Sequence, residues 1–176
     1  ADLGMSLAEI TRAIARSDRF LIERIMLPYL ETSARQLIAA AEGCVAIAGS
    51  TFAAGAAMAA ERLDVPFVPV ALQPTVVMSA FDPPVLPHAP WLALAREGPK
   101  LWLNRATIAL GRATTARWKQ PINAVRHGLG LGPTDLDLVF DGLRAGPLSL
   151  GLYSPLLSPR QPDAPPQFEV AGFAAY

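Results

Sequence analysis

The sequence predicts an α/β fold built on a parallel sheet, and three observations carry that reading. Cys44 to Leu72 reads as strand, helix, strand with short connections, the pattern of a parallel βαβ unit. The two apolar runs in this unit lack strict alternation, as expected of strands covered by helices on both faces. Long helical patterns flank the unit on either side.

The elements follow in order. Ser6-Leu7-Ala8-Glu9 is a capping box, with a hydroxyl at the N-cap and a carboxylate three residues on. Leu7, Ile10, Ile14, Leu21 and Ile25 then keep helical spacing. Pro28 interrupts or restarts this helix, and Leu30, Leu37, Ile38 and Ala41 continue it to Gly43, a natural stop. The run Cys44–Ala48 ends at Gly49-Ser50-Thr51, and an Ala-rich helix follows from about Phe52 to Leu63. Asp64-Val65-Pro66 is a turn, and Phe67–Leu72 is the next strand. Prolines crowd Pro83 to Pro99 and again Pro155 to Pro166, so both stretches are irregular. Between them Lys100–Trp118 reads as a helix, extended by Pro121–His127 after a proline break and ended by Gly128, Gly130 and Gly132. Asp135–Leu143 reads as a short helix, and Leu148–Tyr153 and Phe168–Ala171 as strands.

Composition narrows the function. The 176 residues form one domain by length. Hydrophobic residues make up 52% and charged residues 17%, which rules out disorder for the bulk of the chain. Fifteen basic residues balance fifteen acidic ones, so a nucleic-acid or anionic-membrane partner is not expected. No apolar run reaches membrane-span length, and Ala1-Asp2-Leu3-Gly4 has no signal-peptide character. The single cysteine, Cys44, beside an apolar run, suits a reducing, cytoplasmic setting. Two histidines and one cysteine form no cluster, so no metal and no cofactor are expected. Phosphate-loop and nucleophile-elbow motifs are absent, and Gly128-Leu129-Gly130-Leu131-Gly132 follows a helix rather than a strand.

The positive signal is positional. Ligands of parallel α/β sheets bind beyond the carboxyl ends of the strands. Three such ends are Gly49-Ser50-Thr51-Phe52, Gln73-Pro74-Thr75 and Tyr153-Ser154-Pro155, and Ser79-Ala80-Phe81-Asp82 continues from the second. Ser50, Thr51, Phe52, Gln73, Thr75, Ser79, Phe81 and Ser154 would line one mostly apolar rim, suited to a hydrophobic ligand bearing a hydroxyl. Ser50 and Thr51 equally suit the N-cap of the next helix, and Gln73 a loop hydrogen bond. His88 reads as a surface histidine and His127 as a helix-end residue.

The segments Val65–Pro74, Ser79–Pro87, Pro121–Leu131, Tyr153–Pro155 and Val170–Phe173 together resemble bacterial GT-B glycosyltransferases. Val65-Pro66-Phe67-Val68-Pro69-Val70-Ala71-Leu72-Gln73-Pro74 looks like their "lgiPfv…lqP" segment. Ser79-Ala80-Phe81-Asp82-Pro83-Pro84-Val85-Leu86-Pro87 is similar to their "saf-PPvlP" loop. Pro121-Ile122-Asn123-Ala124-Val125-Arg126 with Leu129-Gly130-Leu131 resembles "p-iN-lR--lGL", and Tyr153-Ser154-Pro155 and Val170-Ala171-Gly172-Phe173 resemble "fsp" and "vtGF". The segments occur in order over about residues 20–176. Within that family they resemble sterol-glucosyltransferase-like, rhamnosyltransferase-subunit-B-like and antibiotic glycosyltransferases.

The resemblance implies an incomplete Rossmann-like parallel sheet with covering helices, the later part of an N-terminal acceptor-binding domain. It implies transfer of a sugar from a nucleotide donor to a hydroxyl of a lipophilic acceptor, with the eight rim residues on the acceptor side. The first βαβ region, with the usual catalytic base, and the C-terminal nucleotide-sugar domain have no counterpart in these residues, so no residue is assigned as catalytic and the isolated chain is expected to be inactive. Asp82 is the one carboxylate of the rim. By the same resemblance Val45–Ala48 is the fourth strand of its sheet, with an unpaired edge that invites homo-oligomerisation. The alternative from another class is a non-catalytic α/β module that binds a hydrophobic ligand or a partner protein.

Overall fold

The computed structural model describes residues 4–84 and 99–173. Pro87, His88 and the end of the proline-rich loop therefore lie outside the described residues. The protein is α/β, with four parallel strands in the order β1-β2-β3-β4: Ile47–Ser50, Phe67–Ala71, Ser149–Gly151 and Phe168–Val170. Among the described residues six helices accompany them: α1 Leu7–Arg16, α2 Asp18–Phe20, α3 Leu27–Ala40, α4 Ala54–Arg62, α5 Pro99–Thr115 and α6 Lys119–Gly128.

The capping box forms as the sequence predicts. Ser6 Oγ accepts from the Glu9 N–H, and the Ser6 N–H donates to the Glu9 carboxylate at 2.8 Å. Ser6→Ala is expected to destabilise α1 by about 1 kcal/mol. Faster amide exchange confined to the first turn of α1 is the measurement, and unchanged protection there would refute the cap.

The backbone answers each proline ahead of its position. Pro28 lacks an N–H and its ring would press on the carbonyl four residues back. The chain widens into a π-helical segment over Leu21–Met26, with the Leu27 N–H bonded to Ile22 O, and resumes as α3. Before Pro121 it tightens instead into a 3-10 turn, Ala116–Trp118, so the break falls earlier than the sequence suggested and Pro121 sits in the first turn of α6.

Strand β1 begins at Ile47 rather than Cys44 and includes Gly49 and Ser50; Val45 is exposed. Pairing with β2 sets this boundary, because Ile47 is the first residue to find a ladder acceptor, Pro66 O, at 2.9 Å. Pro69 lies inside β2, a central strand. Bonds from Ile47 to Pro66 O and from Thr51 to Val70 O place the even-numbered β2 residues on the β1 side. Pro69 therefore faces β3, whose ladder with β2 begins one residue later at Val70, and its missing donor breaks no rung.

Among the described residues the helices cover one face of the sheet, where the strand patterns suggest two. Ile47, Phe67, Pro69, Ala71, Ser149, Gly151 and Phe168 are buried on one face, where α4 packs. On the other, Ala48, Ser50 and Glu169 are exposed and Val68, Val70 and Leu150 half-buried. Right-handed crossovers that advance one strand at a time in one direction carry their connections over the same face. Helix α3 packs on α4, and α3, α4 and α6 share a core of Ile22, Leu30, Ala34, Met58, Trp118, Ile122 and Leu129.

The predicted helix over Asp135–Leu143 does not form. Asp137 Oδ1 accepts from the N–H groups of Val139 and Phe140, and this local bonding competes with the helix. A 3-10 turn at Gly142–Arg144 takes its place. The next residues run against β2, where a Cβ on Gly146 would stand 1.8 Å from Phe67 O.

Candidate functional site

The eight rim residues all follow or end a strand, yet most are held by local hydrogen bonds. Ser50 ends β1, and its Oγ accepts from the Phe52 N–H at 3.4 Å. Thr51 is buried, with its N–H on Val70 O, and Phe52 is half-buried. Neither hydroxyl caps α4: the N-cap is Ala53, without a side-chain bond, because the chain needs two further residues to turn from strand to helix. Gln73 and Thr75 are exposed on the 3-10 turn Pro74–Val77, and Ser154 Oγ accepts from the Leu156 N–H at 3.2 Å.

Ser79 is 2% exposed and organises its loop. Its hydroxyl donates to Asp163 and accepts from the Phe81 N–H at 3.0 Å, while Asp163 Oδ2 accepts from the Ala80 N–H at 2.8 Å. Asn104 of α5 donates to Ala80 O at 2.9 Å. Ser158 donates to Asp82 at 3.2 Å. Burial, reinforced by the Asp82 charge, pushes the Tyr153 phenol above its ordinary range. A second carboxylate, Asp163, thus joins Asp82 in this neighbourhood. The sequence reading missed it because 84 residues separate Asp163 from Ser79, and Gln161-Pro162-Asp163 reads as loop.

Among the described residues, two of the cavities lie as follows. The first, about 310 Å³, is bounded by α4, α6, Phe67 and the loop from Thr134 to Pro147. Arg126, 8% exposed, spans its wall: it donates to both Glu61 oxygens, at 2.9 and 2.7 Å, and to Gly132 O at 2.7 Å. The second, about 320 Å³, lies between α5, the loop after β2, the 3-10 turn at Gly142–Arg144 and the segment around Asp163. Of the eight rim residues Thr51 lines the first cavity, and none lines the second, although Ala80 does.

An ion pair divides the two spaces. Asp141 lines the first and Arg112 the second, and they meet in a two-pronged contact at 2.9 and 2.8 Å. Asp141 also accepts from the Asp137 N–H at 3.0 Å, and Arg144 approaches it at 3.6 Å. Burial alone would raise the Asp141 carboxyl. The bonds from Arg112 and Asp137, with the charges of Arg112 and Arg144, outweigh burial and hold it below the ordinary carboxylate range. Neighbouring Asp137 is buried against the Thr115 hydroxyl.

Among the described residues no helix is long and apolar enough to cross a membrane, and no group of three or more metal-ligating side chains is assembled. No protein-family model matches the chain, and no curated protein matches it significantly.

Proposed function

We propose that the chain is the acceptor-binding portion of a bacterial GT-B glycosyltransferase, which moves a sugar from a nucleotide donor to a hydroxyl of a lipophilic acceptor. The observation that carries this reading is the pair of segments Val65–Pro74 and Ser79–Pro84, which resemble that family and follow β2 to its carboxyl end in a parallel sheet. The reaction is a displacement at the sugar carbon: the acceptor oxygen forms the new bond, the bond to the nucleotide diphosphate breaks, and a base takes the acceptor proton. That base is not assigned to any residue of this chain. The apolar group assigned to acceptor selection in this reading is Phe81, half-buried with the Arg105 guanidinium 5.9 Å from its ring centre.

The chain is expected to bind lipophilic alcohols, to leave nucleotide sugars unbound, and to transfer no sugar alone. Equilibrium binding and a turnover assay over both panels test this. Nucleotide-sugar binding, or indifference to every lipophilic alcohol, would overturn the reading. Phe81→Ala should change the order of preference among the alcohols.

A non-catalytic module for a hydrophobic ligand is the second reading. What favours it is that the hydroxyls of Ser50, Ser79 and Ser154 already serve their own loops. In either case β1, at the sheet edge with Ala48 and Ser50 exposed, is proposed to make the chain self-associate. Sedimentation at tens of micromolar is the check, and a stable monomer would refute it.

A further inference from the structure

The second cavity combines an apolar floor with a cationic rim. Val77, Ile108, Ala109, Phe140, Leu143 and Pro165 supply the floor. The Phe140 ring is fixed against α5, where a Cβ on Gly111 would meet it at 2.7 Å, with the Arg112 guanidinium 5.2 Å from its centre. Three arginines, Arg105, Arg112 and Arg144, line the same space.

These arginines differ in what they hold. Arg112 is bound by both oxygens of Asp141, and Arg144 lies 3.6 Å from that carboxylate. Arg105 rests over Phe81 and makes no hydrogen bond or ion pair among the described residues, so its guanidinium donors remain available. The acid lining the cavity, Asp163, has one oxygen on the Ser79 hydroxyl and the other on the Ala80 N–H. The carboxylates near the cavity are thus spent elsewhere, Asp141 and the charge of Asp137 on Arg112 and Asp163 on the Ser79–Ala80 loop, so Arg105 is the cation of the rim that faces none of them. A guanidinium fork matches a carboxylate or phosphate.

From this we infer that the cavity binds a single-chain amphiphile with an anionic head, the tail on the Ile108–Phe140–Leu143 floor and the head on Arg105 with Arg144 beside it. This inference does not rest on the sugar-transfer reading.

The test is equilibrium binding to the whole chain, below micelle-forming concentrations, of decanoate, decyl phosphate, decanol and inorganic phosphate. Both decyl anions should bind about tenfold or more tightly than decanol, which lacks the charge, and than phosphate, which lacks the tail. Arg105→Gln should weaken both anions by about tenfold, leaving decanol unchanged, and Arg105→Lys should recover part of the loss. Ala109→Trp, which fills the cavity without altering charge, should abolish anion binding. Because Arg105 and Ala109 are exposed, neither change should disturb folding, and circular dichroism verifies that. Decanol binding as tightly as the anions, phosphate alone binding as tightly, or anion affinity insensitive to both Arg105→Gln and Ala109→Trp would each overturn the proposal.

Discussion

Gly146→Ala is expected to destabilise the protein by more than ~3 kcal/mol, among the larger effects of overpacking. The added Cβ would stand 1.8 Å from Phe67 O, 2.9 Å from Phe67 C and 3.1 Å from Pro69 Cδ. None of these is the end of a flexible side chain. The obstacle is the backbone of a central strand and a ring locked within it. Relief requires the segment before β3 to move outward. That movement would strain the Gln167 bonds to Leu143 O and Gly146 O and loosen Leu143 from Ala71, Tyr153 and Phe168. In a chain of this length the loss corresponds to a melting shift of roughly 6–12 °C. Gly132→Ala is the control, because a Cβ there meets nothing within 4 Å; it should stay within about 0.5 kcal/mol of the parent. Urea midpoints measured side by side decide the matter, and near-equal midpoints for the two variants would show that the close approach is absent in solution.

What the sequence revealed and what it hid divide along physical lines. Ser6 and Glu9 announce a helix start because capping is local, and four residues suffice to specify it. The unit from β1 through α4 to β2 was legible because its turns are short and carry glycine and proline. Its exact edge was not, since strand ends depend on a partner: Val45 is as apolar as Ile47 but has no rung to join. Among the described residues, cover on one face rather than two is a property of strand order, which no single strand encodes. The short helix expected after Asp135 lost to Asp137, whose carboxylate bonds to the backbone two and three residues on. At the candidate site the strand-end positions were legible by the rule for parallel sheets. Their partners were not, because Asp163, Arg105 and the Arg112–Asp141 pair reach the site from segments far apart in sequence.

Asp141→Asn is expected to remove about 2–3 kcal/mol at neutral pH, together with part of the protein's sensitivity to acid. Asp141 joins α5 to the 3-10 turn through Arg112, and it anchors the Asp137 N–H. Asparagine retains one acceptor but cannot take both guanidinium prongs, and it offers no charge to Arg112 or Arg144. The Arg112 side chain is 41% exposed, so its orphaned charge can turn to water, which keeps the loss below that of a fully buried pair. The pH dependence follows from the lowered Asp141 carboxyl. Because its folded value lies below its unfolded one, the unfolded chain binds more protons as the pH drops through the ordinary carboxylate range near ~4. The stabilisation is complete above that range and is lost as the pH falls through the folded value. In Asp141→Asn this contribution is absent at every pH, so the stability profiles of parent and variant should converge in acid and separate toward neutrality. Glu9 and Glu23, also held low by hydrogen bonds from Ser6 and Arg19, leave a residual acid slope in both proteins. Denaturant unfolding from pH 2 to 7 is the measurement. Parallel profiles, with the same gap at both ends, would mean that the Asp141 charge adds nothing and that its role is one of shape alone.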